Sequence, residues 1–409
     1  MRCPVCKTEY SIGDSVCPNC NFADLQRTFI SVDEAKYWTN TVVQEHRTKW
    51  MSTLKDFVFD ESYTQLLKYN GKSPHVSVPY GVKVIRNAFS DNGYITTVVL
   101  PDSVIDIGAN AFSSCKNLIA VKIPNGVKRI GTLAFGYCDK LRITIPASVT
   151  EIAEQAFPQV HAIYVDSGNP VFKMDSGLLI DVKQGVLLAA AFPTRLMEVV
   201  VPNYVRRIGC MAFMIARNIP FTIILPTGLQ SLGRSCNVNT ALTPIIIPNT
   251  VTQIEDGALA AVCKDIELED GNPCYIKRNN AIIEMETRKL ITICNKECHS
   301  VRISPSVRSI AAWAFDSCKN LTDIQLHGHI EEIGYCAFHA CPKLEHVVIP
   351  RGTKQIGYAI FYNCHSLKEV YCENSRKPQE WHPGWLEHCN AKVYWEKEWR
   401  FVPQPIVKK

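Results

Sequence analysis

Hydrophobic positions along this chain recur in a fixed phrase, close to Pro-x-x-Val-x-x-Ile-Gly-x-x-Ala-Phe-x-x-Cys-x-x-Leu. Pro101 to Leu118 and Pro124 to Leu141 are the clearest of ten copies. The Phe slot holds Phe89, Phe112, Phe135, Phe157, Phe213, Phe315, Phe338 and Phe361, with Leu259 in one copy and the degenerate pair Cys236-Asn237 in another. Neighbouring copies lie 22 to 24 residues apart, a period too short for a unit with its own core, so the copies must stack. Ahead of each Pro the pattern alternates. In Leu118-Ile-Ala-Val121-Lys-Ile123-Pro124, Val121 and Ile123 face one way while Ala120 and Lys122 face the other. Each copy thus predicts one short strand, ended by a Pro that has no N–H to donate. The strands together predict a parallel sheet along a solenoid. The Val-x-x-Ile-Gly and Ala-Phe-x-x-Cys stretches are expected to return along the other side as a turn and a short helical piece. The expected class is an α/β repeat solenoid.

These copies resemble the BspA-like leucine-rich repeat family over roughly Pro79 to Cys372. That resemblance implies a curved, right-handed binding solenoid with no catalytic residues of its own, often a cell-surface adhesin. Two gaps, Phe157 to Phe213 and Leu259 to Phe315, span 56 residues each. Both contain Gly-Asn-Pro, at Gly168 to Pro170 and Gly271 to Pro273, followed by paired apolar runs that read as inserted β-hairpins near 164–198 and 267–300.

The N-terminus carries different chemistry. Cys3-Pro-Val-Cys6 and Cys17-Pro-Asn-Cys20 are two Cys-x-x-Cys knuckles whose four thiolates can close a tetrahedron around Zn2+. A module of residues 1–23 is too small to fold on burial alone, so the metal would be structural. It resembles the short zinc ribbons of many bacterial proteins, and iron in a rubredoxin-like site is the minor alternative. Thiolate ligation, a first ligand at residue 3 and the lack of a long apolar run together lead to the expectation of a cytoplasmic protein without a membrane span. Ser31 to Glu34 form a capping box that predicts a helix to about Lys55 within a linker of residues 24–70. The solenoid then spans 71–374. Trp381, Trp385, Trp395 and Trp399 mark a C-terminal cap and tail over 375–409, including the strand-like run Ala391 to Trp395.

A net charge of +5 is small for 409 residues, and no run of five basic residues occurs, so nucleic acid is weakly supported as a partner. Of the 18 cysteines, Cys115, Cys138, Cys318, Cys341 and Cys364 share one repeat slot and are expected to be buried, reduced packing thiols. Cys274, Cys294, Cys298 and His299 are weighed as a second metal group and read as packing residues. His339 and His365 read as exposed turn residues. No phosphate-binding loop, nucleophile elbow or His-Glu-x-x-His motif occurs, so no enzyme is expected.

A partner would meet the outward rows of the sheet. One row reads Val99, Lys122, Thr144, Val200, Ile224, Ile246, Arg302, Gln325 and Val348. The next reads Thr97, Ala120, Arg142, Glu198, Thr222, Pro244, Ser300, Asp323 and His346. Val200, Ile224 and Ile246, with Thr222 and Glu198 beside them, form the candidate site for a protein or peptide, unless a hairpin folds over them. The expectation is a non-enzymatic interaction scaffold. The alternatives are a nucleic-acid-linked regulator acting through the ribbon, and an adhesin-like binder of host proteins.

Overall fold

The computed structural model describes residues 54–192, 198–215, 222–236, 244–260 and 265–399. The four ribbon cysteines Cys3, Cys6, Cys17 and Cys20 and the helix expected from Ser31 lie outside them. The chain divides into two compact units. Of the described residues, one unit holds those up to Gly177 with Ile215, and the other holds those from Leu178 to Met214 and from Thr222 onward.

In the first unit each copy contributes two strands. The longer ones, His75–Ser77, Thr97–Val99, Ala120–Lys122, Arg142–Ile145 and Ala162–Val165, form the expected parallel sheet, here called the front sheet. The Val-x-x-Ile stretch, expected to be a turn, is instead a two-residue strand. Val84–Ile85, Asp106–Ile107, Arg129–Ile130 and Glu151–Ile152 pair in parallel as a back sheet. The Ala-Phe-x-x-Cys stretch is a run of turns and not a helix. The described residues are therefore short strands joined by turns with almost no helix, and Glu396–Trp399 is the one complete helix among them. The expected helical piece fails because an α-helical turn closes its hydrogen bonds within itself. Here the turn amides bond outward to the next copy.

That outward bonding is periodic. Asn110 and Ser114 have φ of 53° and 59°, and their amides donate to the carbonyls of Thr132 and Gly136 at 3.0 and 2.8 Å. Leu133 and Tyr137, one copy on, have φ of 53° and 62° and donate to Gln155 and Pro158. Left-handed backbone costs a non-glycine residue on the order of 1 kcal/mol. Each such residue recovers that cost as a bond between copies. The Gly after Ile has a steric reason: a Cβ on Gly334 would stand 2.4 Å from the backbone nitrogen of Ala312.

Between the two layers the Phe slot forms a stack. Phe89, Phe112, Phe135 and Phe157 lie with centroids 4.9, 5.3 and 5.6 Å apart and planes within 5°, an offset-stacked geometry. The Cys slot runs beside it. Cys115 and Cys138 are fully buried free thiols that donate to the carbonyls of Phe89 and Phe112, one copy back. The degenerate copy keeps this logic: Cys236 takes the Ala position, its carbonyl accepting from the Phe213 amide. The upstream end is closed by an antiparallel hairpin, Phe57–Phe59 with Gln65–Tyr69, within the segment read as linker. Its Tyr69 ring lies against Phe89 at 5.3 Å and extends the stack.

The second unit uses the same grammar with front strands Glu198–Val200, Thr222–Ile224, Ile245–Ile247, Ile266–Leu268, Ser300–Arg302, Asp323–Gln325, His346–Ile349 and Glu369–Cys372. Phe315, Phe338 and Phe361 stack at 4.8 and 5.4 Å. Both predicted hairpins are present, as Leu178–Asp181 with Val186–Ala190 and as Ala281–Glu284 with Lys289–Ile293. Each joins the back sheet, through Val186↔Arg207 and Lys289↔Ser309. The Asn of Gly-Asn-Pro anchors the second insert. Asn272 donates to the Val251 carbonyl at 2.8 Å and accepts from the amides of Cys274 and Tyr275. Asn169 does the same in the first unit, donating to Pro146 and Val149 and accepting from Val171 and Phe172. The strand Lys392–Trp395, within the strand-like run read from the sequence, pairs with Glu369–Cys372. Trp381 and Trp385 are buried edge to face beneath it, and the Trp381 indole donates to the Thr353 carbonyl at 3.2 Å. Trp399 has no described side chain.

Two stability measurements follow from this packing. Replacing Asn272 by Ala strands two amides and a carbonyl, and is expected to cost about 2 kcal/mol in urea unfolding; an unchanged midpoint would contradict the anchoring role. The second concerns pH. Burial pushes Tyr275 up to about 12, Cys294 up to about 11 and Cys372 up to about 12, from ordinary values of 10.0, 9.0 and 9.0. All three are neutral in the fold and ionise earlier once unfolded. Above the unfolded values the folded chain holds more protons, so stability declines as pH rises through this range. The urea midpoint is expected to drop between pH 8 and pH 11. In Tyr275→Phe the drop is smaller, although the variant starts lower because the Ile254 amide loses its 2.7 Å acceptor.

Candidate interaction surface

The front strands alternate as their sequences imply. Val199, Ile223, Ile245 and Ile247 are buried, while Val200, Ile224 and Ile246 are 53%, 44% and 59% exposed. Val200 pairs with Ile224, and Glu198 with Thr222, across the parallel ladder. The strand carrying Ile246 is the next neighbour of the one carrying Ile224. Three branched aliphatic side chains thus stand outward on successive strands, with Val200 and Ile224 on paired strands roughly 4.8 Å apart and Ile246 on the adjoining strand, which belongs to a separate ladder. Glu198 is exposed and Thr222 half-buried at the same edge of the row.

A hairpin folded over this row was the competing expectation, and the topology excludes it. Both hairpins belong to the back sheet, so neither crosses the front face. The second insert touches only the margin. Its Lys277 reaches Glu267 at 2.7 Å, and Glu267 is the residue paired with Ile246 on the next front strand. The apolar row therefore ends against an ion pair.

Within each unit the predicted rows match the register, as Val99↔Lys122 and Thr97↔Ala120 in the first and Arg302↔Gln325 and Ser300↔Asp323 in the second. The rows also contain members that sequence reading missed. Tyr164 pairs with Thr144, and Tyr371 and Tyr394 continue from Val348. Their strands end without Pro, so the rule of counting back from Pro skips them, although the alternation in Ala162 to Val165 carries the signal. Tyr371 is buried, stacked on Tyr394 at 5.2 Å with its hydroxyl donating to Glu369. That end of the front sheet presents no free tyrosine ring of this residue.

The remaining candidates resolve as follows. Among the described residues no group of three His, Cys, Asp or Glu side chains is placed to hold a metal. Cys294 is buried, Cys274 and Cys298 are half-buried and His299 is exposed. His365 is exposed as expected, but His339 is not a simple turn residue. Its Nδ1 contacts the buried carboxylate of Asp316, and its ring lies between Trp313 and Tyr362. The phrase around its repeat slot gave no hint of this, because the contact joins two copies. No helix among the described residues is long and apolar enough to cross a membrane.

Comparison with known proteins agrees with the repeat reading. A family model for the BspA type leucine rich repeat region matches six copies, over residues 50–167, 191–280 and 291–382. Several solved structures are similar. A leucine rich cell surface protein of Faecalibacterium prausnitzii is 22% identical, with 84% of this chain and 94% of that one covered and a TM-score of 0.42. A leucine-rich repeat protein of Eubacterium ventriosum is 19% identical, covering 77% and 90% at a TM-score of 0.47. Another from Bacteroides ovatus is 23% identical, covering 83% and 90% at 0.37. No curated protein matches the chain.

Proposed function

The chain belongs to the BspA type leucine-rich repeat family, and on that premise we propose that it is a non-enzymatic binding protein that holds a protein or peptide on the front sheet. The observation that carries this reading is the exposed row Val200, Ile224 and Ile246 on successive strands, a position where the repeat itself demands no apolar residue. Equivalent outward positions elsewhere hold Lys122, Thr144, Arg302 and Gln325, with valines only at Val99 and Val348, so the run of three falls between polar stretches. Aliphatic side chains left in water there gain free energy when a partner covers them, on the order of 1.5–3 kcal/mol for each one fully buried. Glu198 at the edge of the row favours a partner segment that combines apolar side chains with a basic residue.

The test is affinity capture with the full chain, comparing wild type with Ile224→Asp/Ile246→Asp and with Lys122→Asp as a control on the same kind of surface. A partner held by wild type and the control, and weakened on the order of a hundredfold in the double variant, is the expected result. A partner held equally by all three would refute the site. Loss of capture on nuclease treatment would move the function to nucleic acid instead.

The ribbon is proposed as a structural zinc module, on the spacing of Cys3, Cys6, Cys17 and Cys20. Elemental analysis of the purified chain is expected to give one zinc per molecule, lost in Cys17→Ser/Cys20→Ser. Metal-free wild-type protein, or zinc retained in the variant, would overturn it.

A further inference from the structure

Three neighbouring parallel strands of the front sheet in the second unit, His346–Ile349, Glu369–Cys372 and Lys392–Trp395, end side by side. The residues that follow them surround a cleft of about 550 Å3. Arg351, Asn374 and Glu396 each come from just beyond one of the three strand ends, and the segment from Asn374 to Gln379 supplies the rest of the lining. Loops held at the ends of a rigid sheet are a common seat of binding.

This segment is not dictated by the repeat. His382 takes the place that Gly357 holds one copy earlier, since its amide donates to the Ile356 carbonyl as that of Gly357 donates to Ile333. The path from Cys372 to His382 is two residues longer than the path from Ile349 to Gly357. The extra chain lies in the segment that walls the cleft.

The lining has a definite chemistry. Arg351 is held in place: its amide donates to the Glu373 carboxylate at 3.0 Å, its Nε to the Glu373 carbonyl at 3.3 Å, and its guanidinium pairs with Glu396. Arg376 and Lys377 are exposed and make no hydrogen bond or ion pair among the described residues. The lining thus carries three cations and one carboxylate, a balance that favours an anion. The side-chain oxygen of Asn374 is buried with no hydrogen-bond partner among the described residues. An acceptor left in that state is costly, and a donor would relieve the cost. Pro378 is the one apolar residue of the lining, and no aromatic ring contributes to it. A ligand with a hydrocarbon body or a base finds nothing there to pack on, whereas one rich in hydroxyl groups does not need it.

We propose that this cleft binds an anionic saccharide, a sugar unit carrying a phosphate or carboxylate group. Arg376 and Lys377 take the anionic group through charge-assisted hydrogen bonds. Asn374 and Glu396 accept hydrogen bonds from the sugar hydroxyls. The volume suits such a ligand, since small-molecule sites ordinarily span about 300–1,000 Å3. None of these residues belongs to the row of Val200, Ile224 and Ile246, so this site and the protein-binding surface are tested independently.

The experiment titrates the full-length chain with glucose 6-phosphate and with glucuronate, by calorimetry and ligand-observed NMR, at low and high salt. Glucose and inorganic phosphate are the controls. The expected result is saturable binding of an acidic sugar that weakens with salt and exceeds both controls, the tighter of the two showing which anionic group is preferred. Arg376→Ala/Lys377→Ala is expected to weaken it about tenfold for each cation lost. Both side chains are exposed and unpaired among the described residues, so the urea midpoint of that variant stays at the wild-type value. Asn374→Ala is expected to narrow the gap between glucose 6-phosphate and inorganic phosphate. Ile224→Asp/Ile246→Asp is expected to bind the sugar as wild type does. Absence of binding by either acidic sugar, or unchanged affinity in the folded double variant of Arg376 and Lys377, would overturn the proposal. Inorganic phosphate held as tightly as the sugar phosphate would overturn the saccharide assignment.

Discussion

The hand-over of turn amides from each copy to the carbonyls of the next is the constraint on which the rest of this structure depends. A left-handed residue one position before the Ala, and in most copies another two positions after the Phe, aims its N–H along the stack, as in Asn110 to Thr132 and Ser114 to Gly136. Once those bonds are made, neighbouring copies sit one strand spacing apart. Both parallel ladders then fall into register, Phe rings of successive copies stack, and each Cys sulfur reaches the Phe carbonyl one copy back. No copy could form these turns alone, because its left-handed residues would carry their cost without the bond that offsets it.

The same constraint limits where the molecule can vary. Inward positions are set by the Phe stack and by the back sheet, and insertions are accepted where a hairpin can continue that sheet. Asn169 and Asn272 are the devices that make an insertion possible, since one amide side chain replaces the backbone bonds that a regular copy would have supplied. The outward face of the front sheet is the freest surface. A change there from Lys122 to Ile224 leaves the backbone pattern intact, so composition in that row reports on what the surface meets rather than on the fold.

Several features were legible in the sequence for physical reasons. The phrase fixed the stacking, the Phe core and the buried thiols, because each depends on a period that any single copy displays. The alternation before each Pro identified Val200, Ile224 and Ile246 as outward residues. The same reading went wrong where a local phrase is ambiguous. Val-x-x-Ile has too few residues to distinguish a turn from a two-residue strand, and the distinction rests on the neighbouring copy. Ala-Phe-x-x-Cys has apolar spacing that suits a helical turn, yet its amides bond outward.

What the sequence determined by itself was therefore everything carried by repetition: a stack of copies, one strand before each Pro, two hairpins at the long gaps, and the spacing of the four N-terminal cysteines. What the tertiary structure decided was everything that joins residues from different copies. It placed the hairpins on the back sheet and left the Val200, Ile224 and Ile246 row uncovered. It set His339 against Asp316, and it buried Lys296 with its Nζ on the Thr292 hydroxyl and the Ala314 carbonyl. A periodic pattern specifies the contacts that every copy makes with its neighbour. Contacts made once, between an irregular segment and a regular one, have no period to announce them, and only the folded chain brings their partners together.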